Sequence, residues 1–326
     1  MIIILTLVIA MAGFIAVQAQ LKPADTAAAR QVTLEIPQQA TTSSIAALLE
    51  EKGLIRSSFA FRLYTRYQNV DGKLKPGAYM LNSAMSVPEI VQKMLKGPNE
   101  TIVVTIPEGF TVEQIAELLE SKGVAGREDF LRLTEKKWDY PFVQNIDLAR
   151  NNLEGYLFPD TYHIGLDTGP DKLLQMMLEK FQNVIAEQDY VRQVRERRLT
   201  LHEAVIFASM VEREAKMADE RARIAGVIYN RIESGMPLQI DATIQYVLDE
   251  PREILLYSDL EVDSPYNTYR HYGFPPAPIA SPGWASLRAV IEPESHDYLY
   301  YVAKPDGSHA FSRTLAEHNA NIRKYQ

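Results

Sequence analysis

"VTLEIPQQATTSSIAALLEEKG", residues Val32–Gly53, decides how this chain folds, because a second stretch, "IVVTIPEGFTVEQIAELLESKG" (Ile102–Gly123), aligns with it without a gap. In each copy an apolar run ends in Ile-Pro and a turn follows. Apolar residues then recur at helical spacing: Ile45, Leu48 and Leu49 in the first copy, Ile115, Leu118 and Leu119 in the second. Thr41 and Thr111 fit N-caps, whose side-chain oxygen takes one of the N–H groups that a first helical turn leaves unpaired. Gln114, three residues after Thr111, completes a capping box. Gly53 and Gly123 fit the stop, where a left-handed residue closes the last turn. The spacing predicts strand–turn–helix twice.

Working outward, "RSSFAFRLYTRYQ" reads as a second helix, "LKPGAYML" as a turn and strand, and "SVPEIVQKMLKG" as a helix capped by Ser86. A small strand–helix–helix–strand unit therefore spans Val32–Leu81. The second copy leads into a larger domain. There "NNLEGYLFPDTYHI" reads as an aromatic loop and strand, and "GPDKLLQMMLEKFQNVIAEQ" as an amphipathic helix. "LTLHEAVIFASMVEREAKM" is a helix opened by a Thr200–Glu203 capping box, and "DERARIAGVIYNRIESG" is a helix stopped at Gly235. From Met236 the sequence turns rich in Pro, Gly and Tyr. Ser281-Pro282 reads as the cap and first residue of a short helix. Tyr298–Ala303 and His309–Phe311 read as a hairpin across "KPDGS", and Thr314 with Glu317 as the cap of a last helix. Helices and strands alternate without a regular period, so the fold class expected is α+β.

The chain has 326 residues, 46% of them hydrophobic and 23% charged, which suits a folded protein of more than one domain. A net charge of −8 argues against a nucleic-acid partner, which selects a basic face. The absence of cysteine removes disulfides, thiolate catalysis and cysteine-bound metals. Ile2–Val17 carries no charge and is slightly short of the roughly 17–25 apolar residues of a membrane span. "VQA" before Gln20 also suits a signal-peptidase site. The expectation is a membrane anchor, or a signal peptide, with the rest of the chain outside the cytoplasm. The division expected is the anchor over 1–19, a linker over 20–31, the small unit over 32–98 and the larger domain over 99–326.

The helix containing "ASMVEREA" (Ala208–Ala215) sets carboxylates among apolar residues. At roughly 100° per residue, Leu201, Ala204, Val205, Ala208, Val211 and Ala215 share a face. Glu212 projects into that face, and Glu214 lies at its edge. Either carboxylate could be held in an ion pair by Arg213, Arg221, Arg223 or Arg231. Otherwise one of them, raised in pKa by apolar surroundings, could keep a proton at neutral pH and deliver it as a general acid. Periodicity does not choose between them, and it buries Glu212 more deeply. A lone acid suits glycosidic cleavage, where the departing oxygen must be protonated as positive charge grows on the sugar. Tyr266, Tyr269 and Tyr272, with Trp284 beyond, offer flat faces for sugar rings. Gln239, Asp241, Asn267 and Thr268 offer groups for hydroxyls. By themselves Asn230 and Arg231 read as structural, and His309 and His318 as residues supporting a hairpin and a helix. No HExxH, GxGxxG, P-loop or GxSxG pattern occurs, and no metal or cofactor is expected.

"LEGYLFPDTY", "ASMVEREA", "NRIESGMPLQIDATIQY", "SPYNTY", "GFPPAPIASPG" and "SHAFSRTLAEHN", in this order, resemble the signature blocks of the YceG-like endolytic murein transglycosylases, the MltG family. The resemblance runs from Val32 nearly to the last residue. It implies a single-pass membrane protein with a LysM-like small unit, here 32–98, and a catalytic domain, here 99–326, facing the cell wall. The implied substrate is the peptidoglycan glycan strand, cut at the β-1,4 bond between MurNAc and GlcNAc to leave 1,6-anhydroMurNAc ends. The implied partners are peptidoglycan synthases. The family's catalytic glutamate, the second of its VExE motif, falls on Glu214. Glu212, Asn230, Arg231, Gln239, Asp241, Tyr266, Asn267, Thr268, Tyr269 and His309 fall on positions expected to bind substrate or support the site. One departure is Ala242, where the family often has proline; another is that no basic residue precedes the apolar run. The competing readings are a non-catalytic wall-binding scaffold and, from an older family label, a pyridoxal-phosphate-dependent aminodeoxychorismate lyase.

Overall fold

The computed structural model describes residues 17–25, 30–98, 101–144, 153–165, 168–248 and 255–325, with positions 11, 250 and 252. Mixed α+β architecture is observed, with two-stranded sheets only among the described residues. The chain divides into two compact units, one of Met1–Val103 with His163–Asp167 and the other of Val104–Tyr162 with Thr168–Gln326.

In the first unit, strand β1 (Gln31–Ile36) is followed by helices α1 (Thr42–Glu51) and α2 (Ser58–Tyr67), strand β2 (Gly77–Asn82) and helix α3 (Val87–Lys96). β1 and β2 pair antiparallel with Leu34 opposite Tyr79. The repeat's local signals act as expected. Thr41 caps α1 by accepting the Ser44 N–H, and Gly53 closes it at φ 67. Ser86 and Glu89 form the capping box of α3. Ile45, Leu49, Phe61, Tyr79 and Ile90 are buried together. Burial of each such side chain stabilises the unit by about 1.5–3 kcal/mol. The buried Tyr79 phenol donates to the Lys75 carbonyl at 2.6 Å, so its polar end is satisfied. Leu48 is only partly buried, and Ala46 takes the innermost place on that face of α1. Residues just after Gln20 are tied to this unit: Leu21 is buried, its carbonyl accepts the Val87 N–H, and the Pro23 carbonyl accepts from Arg56 Nε.

Strand β3 (Thr101–Thr105) opens the second copy and pairs with β4 (Thr161–Gly165). The copy's helix is α4 (Val112–Ser121), capped by Thr111 and Gln114 as the sequence predicts. α5 (Arg127–Thr134), α6 (Pro170–Glu187) and α7 (Tyr190–Glu196) follow. α8 (Leu201–Glu214) begins at the Thr200–Glu203 capping box, and every residue from Ala204 to Val211 is buried, which makes it the central helix of this unit. It packs against α9 (Arg221–Glu233) and α11 (Trp284–Ile291), with α10 (Asp241–Val247) at its C-terminal end. The hairpin of β5 (Tyr300–Ala303) and β6 (His309–Ser312) and helix α12 (Leu315–Tyr325) complete the unit.

The cap expected at Ser281-Pro282 is displaced. α11 starts at Trp284 with Gly283 as its N-cap. Ser281 is committed elsewhere: its N–H donates to the Phe110 carbonyl and its carbonyl accepts the Gly109 N–H, each at 2.8 Å. That pairing stitches the turn of the repeat's second copy to the segment before α11. The short helices α5, α7 and α10 have no counterpart in the sequence reading. The expected membrane segment over 1–19 lies almost wholly outside the described residues. Among those described, no helix is long and apolar enough to cross a membrane.

Candidate active site

Glu214 is the last residue of α8, and the chain turns to extended backbone at Ala215. Capping and periodicity put α8 in the core, and its end brings the carboxylate to the wall of a cleft of about 370 Å³. Around it the cleft is lined by Arg231, Gln239, Asp241, Tyr269, Tyr301 and His309. The half-buried carboxylate is held from both sides. Tyr301 donates its hydroxyl to Oε2 at 3.0 Å, and the Ala242 N–H, in the first turn of α10, reaches Oε1 at 3.4 Å. Burial, and then the neighbouring charge of Asp241, raise the Glu214 pKa to about 7, while the Tyr301 hydrogen bond pulls the other way. A carboxylate at a helix C-terminus also meets the negative end of the helix dipole, which disfavours its charge. No ion pair of Glu214 is found among the described residues. The group therefore carries a proton near neutrality, as a general acid must.

Glu212, one turn edge away, has the opposite fate. Its side chain is 5% exposed and receives Arg221 Nη2 at 3.0 Å on Oε1 and the Gly283 N–H at 3.0 Å on Oε2. The pair ties α8 to the starts of α9 and α11. Of the two readings open for this helix, the ion pair belongs to Glu212 and the proton-bearing acid to Glu214. Arg213 instead donates to the Gly109 carbonyl, and Arg223 pairs with Glu294.

The other sequence-derived residues divide between wall and scaffold. Gln239 lines the cleft with its backbone left-handed at φ 52, held there by its N–H to the Thr268 carbonyl. A non-glycine residue in that region is strained, and such strain collects where a chain must turn a side chain into a site. Asp241 opens α10 and accepts the Tyr269 hydroxyl. Arg231 lines the cleft, and two of its three nitrogens are engaged within the protein: Nε donates to the Leu299 carbonyl, and Nη1 to the carbonyls of Pro237 and Leu238 and to Gln239 Oε1. It fixes the hairpin and the Gln239 loop against α9. Asn230, Tyr266, Asn267 and Thr268 do not line this cleft. Asn230 donates to the carbonyls of His296 and Tyr298. Asn267 holds its own loop through the carbonyls of Leu260 and Val262. Thr268 accepts the Ile240 N–H at 2.9 Å. Tyr266 packs on Tyr246, whose hydroxyl reaches the buried Glu154 at 3.4 Å. Tyr272 is 73% exposed, and Trp284 packs edge-on to Tyr190. Of the expected aromatic group, only Tyr269 faces the cleft.

Two cleft residues escaped the sequence reading of the site. Tyr301 is one of three tyrosines between Tyr298 and Tyr301, with nothing local to single it out. His318 lies on α12, stacked on Tyr300, and its Nδ1 is buried without a partner in the structure described. Burial, with Arg231 nearby, holds the His318 imidazolium below its usual range.

The profile of the YceG-like family matches residues 34–324. The endolytic murein transglycosylase of Bacillus subtilis (strain 168) is 33% identical over 318 residues, covering 94% of this chain and 88% of its own length. The protein of the same name from Streptococcus pneumoniae serotype 2 is 31% identical over 342 residues, covering 96% of this chain but 62% of its own length. A 2.6 Å crystal structure of a yceG-like protein from Listeria monocytogenes aligns with TM-score 0.61 and 35% identity, over 90% of this chain and 100% of that one.

Proposed function

The chain belongs to the YceG-like family, and from that premise we propose that it is a lytic transglycosylase of murein, with Glu214 as its single proton-transfer residue. The observation that carries the reading is a carboxyl in a cleft wall whose pKa of about 7 lets it hold a proton where substrate binds. Protonated Glu214 donates to the oxygen of the β-1,4 bond between MurNAc and GlcNAc. Positive charge develops at C1 of MurNAc. The same carboxylate, now charged, accepts the proton of the C6 hydroxyl as O6 closes on C1, which leaves a 1,6-anhydro end. The nucleophile is part of the substrate, so proximity supplies much of the rate, and proton transfer adds about 10²–10⁴-fold. The Tyr301 hydroxyl and the Ala242 N–H hold the carboxylate through both steps.

The proposal extends to internal cuts in nascent strands, work beside peptidoglycan synthases, and a site outside the cytoplasm tethered through Ile2–Val17. A second reading, hydrolysis, is favoured by one observation: Asp241 puts another carboxylate on the same cleft wall and could serve as base for water. Pyridoxal chemistry does not fit the cleft, which among the described residues has no lysine in its lining for a Schiff base. Mass analysis of digested glycan strands tests the proposal. Anhydro ends from the wild type and none from Glu214→Gln are expected. Reducing ends would transfer the chemistry to hydrolysis, and an unchanged product yield from Glu214→Gln would end the assignment.

A further inference from the structure

The scheme above has no task for Glu220, a buried carboxylate at the end of the short turn Ala218–Glu220 that leads into α9. Both of its oxygens face one residue. The His309 main-chain N–H lies 3.0 Å from Oε1 and 3.1 Å from Oε2, and His309 Nδ1 lies 2.7 Å from Oε2. A carboxylate so placed accepts, so Nδ1 carries a proton; in the neutral imidazole Nε2 then keeps its lone pair. The main-chain bond and the ring bond together fix where the imidazole points. The Tyr301 ring, 5.4 Å away and nearly perpendicular at 83°, bounds it on one side. Nε2 makes no hydrogen bond among the described residues, while the residue lines the same cleft as Glu214. The charge of Arg223 also lies near Glu220, but every hydrogen bond that the Glu220 carboxylate accepts among the described residues comes from His309; a buried carboxylate that orients one imidazole in a cleft wall is costly unless that orientation is used.

We infer that Glu220 is a positioning residue, which sets His309 with its proton on Nδ1 so that Nε2 accepts a hydrogen bond from a hydroxyl of the bound sugar. The inference rests on the glycan-cleaving reading and adds a second polar anchor in the same cleft as the acid.

The test uses the full chain labelled with 15N-histidine, together with Glu220→Gln, Glu220→Asp, His309→Gln and the double variant E220Q/H309Q. The wild-type spectrum is expected to show one histidine protonated at Nδ1 and bare at Nε2, and Glu220→Gln to lose that signature. With the hydrogen bond to charge removed, kcat for strand cleavage is expected to fall about 10–100-fold, with KM within about threefold and the basic limb of the pH profile unmoved. Glu220→Asp should recover part of the rate. The double variant should be no slower than His309→Gln, because Glu220 acts only through that ring. A wild-type ring protonated at Nε2, an additive loss in the double variant, or full kcat in Glu220→Gln would each overturn the inference. If Glu220→Gln fails to fold, the wild-type spectrum and Glu220→Asp still decide it. A wild type that cleaves no glycan would defeat the activity reading, and the spectrum would still report on the pair.

Discussion

Replacing Glu214 by Gln is expected to make the protein inactive and, above neutral pH, more stable. The carboxyl has an ordinary pKa of 4.5 when the chain is unfolded and about 7 in the fold. The folded state thus holds its proton more tightly, and stability falls as pH rises between those two values. The penalty is absent below 4.5 and complete above about 7. At 1.36 kcal/mol per pH unit the gap corresponds to about 3 kcal/mol, which partial solvent access reduces to about 2. Glutamine keeps the shape, still accepts the Ala242 N–H, and turns an amide N–H to the Tyr301 oxygen, so the penalty goes without a new cavity. The buried Glu154, raised to about 8 chiefly by burial, titrates in both proteins and cancels in the difference. Thermal unfolding of both proteins at pH 5 and pH 8 checks this. Glu214→Gln should unfold about 4–8 °C higher than wild type at pH 8, and at nearly the same temperature at pH 5. Equal unfolding temperatures at pH 8, or a gain that does not shrink at pH 5, would refute the buried-acid argument whatever the enzyme assay gives.

Cleavage measured as kcat/KM against pH should decline above about 7 as Glu214 loses its proton; Tyr301→Phe removes a hydrogen bond to the charged form and should move that limb up by about one pH unit. Arg221→Ala leaves the Glu212 charge buried and unpaired and should cost about 3–5 kcal/mol in denaturant unfolding, whereas Glu212→Gln keeps the Gly283 contact, costs less and retains anhydro products. Gly155→Ala should destabilise by about 2–4 kcal/mol in the same measurement. Its Cβ would lie 2.6 Å from Pro278 Cβ and 2.9 Å from Val205 Cγ1, at a backbone φ of +87°.

What the sequence made legible is what short-range rules govern. The repeat, its threonine caps, the glycine stops and the β5–β6 hairpin each depend on residues within about a turn of one another, and each forms as expected. α10 was missed because its start is set from outside, by the left-handed Gln239 and its bond to Thr268. The cap near Ser281 was misplaced for the same reason, since pairing with Gly109 and Phe110 outweighs a local preference. In the site, helical periodicity put Glu212 inward and Glu214 at the edge, which is how they lie. It could not supply Arg221 for one or Tyr301 for the other, and those partners separate an ion-paired carboxylate from one whose pKa is raised. Asn267 and Thr268 look like sugar-binding groups in the sequence, whereas Asn230 reads as structural and is so. All three turn out to hold main-chain carbonyls and amides, a use of polar side chains that composition cannot distinguish from recognition.

Glu214 and the hydroxyl that grips it are 87 positions apart in the chain. During synthesis the acid is laid down well before Tyr301, His309 and α12 exist. A chain interrupted after Leu299 would carry Glu214 but neither the hydroxyl that holds it nor that side of the cleft. In a chain made in this order the cleft is complete only once the final segment has folded back.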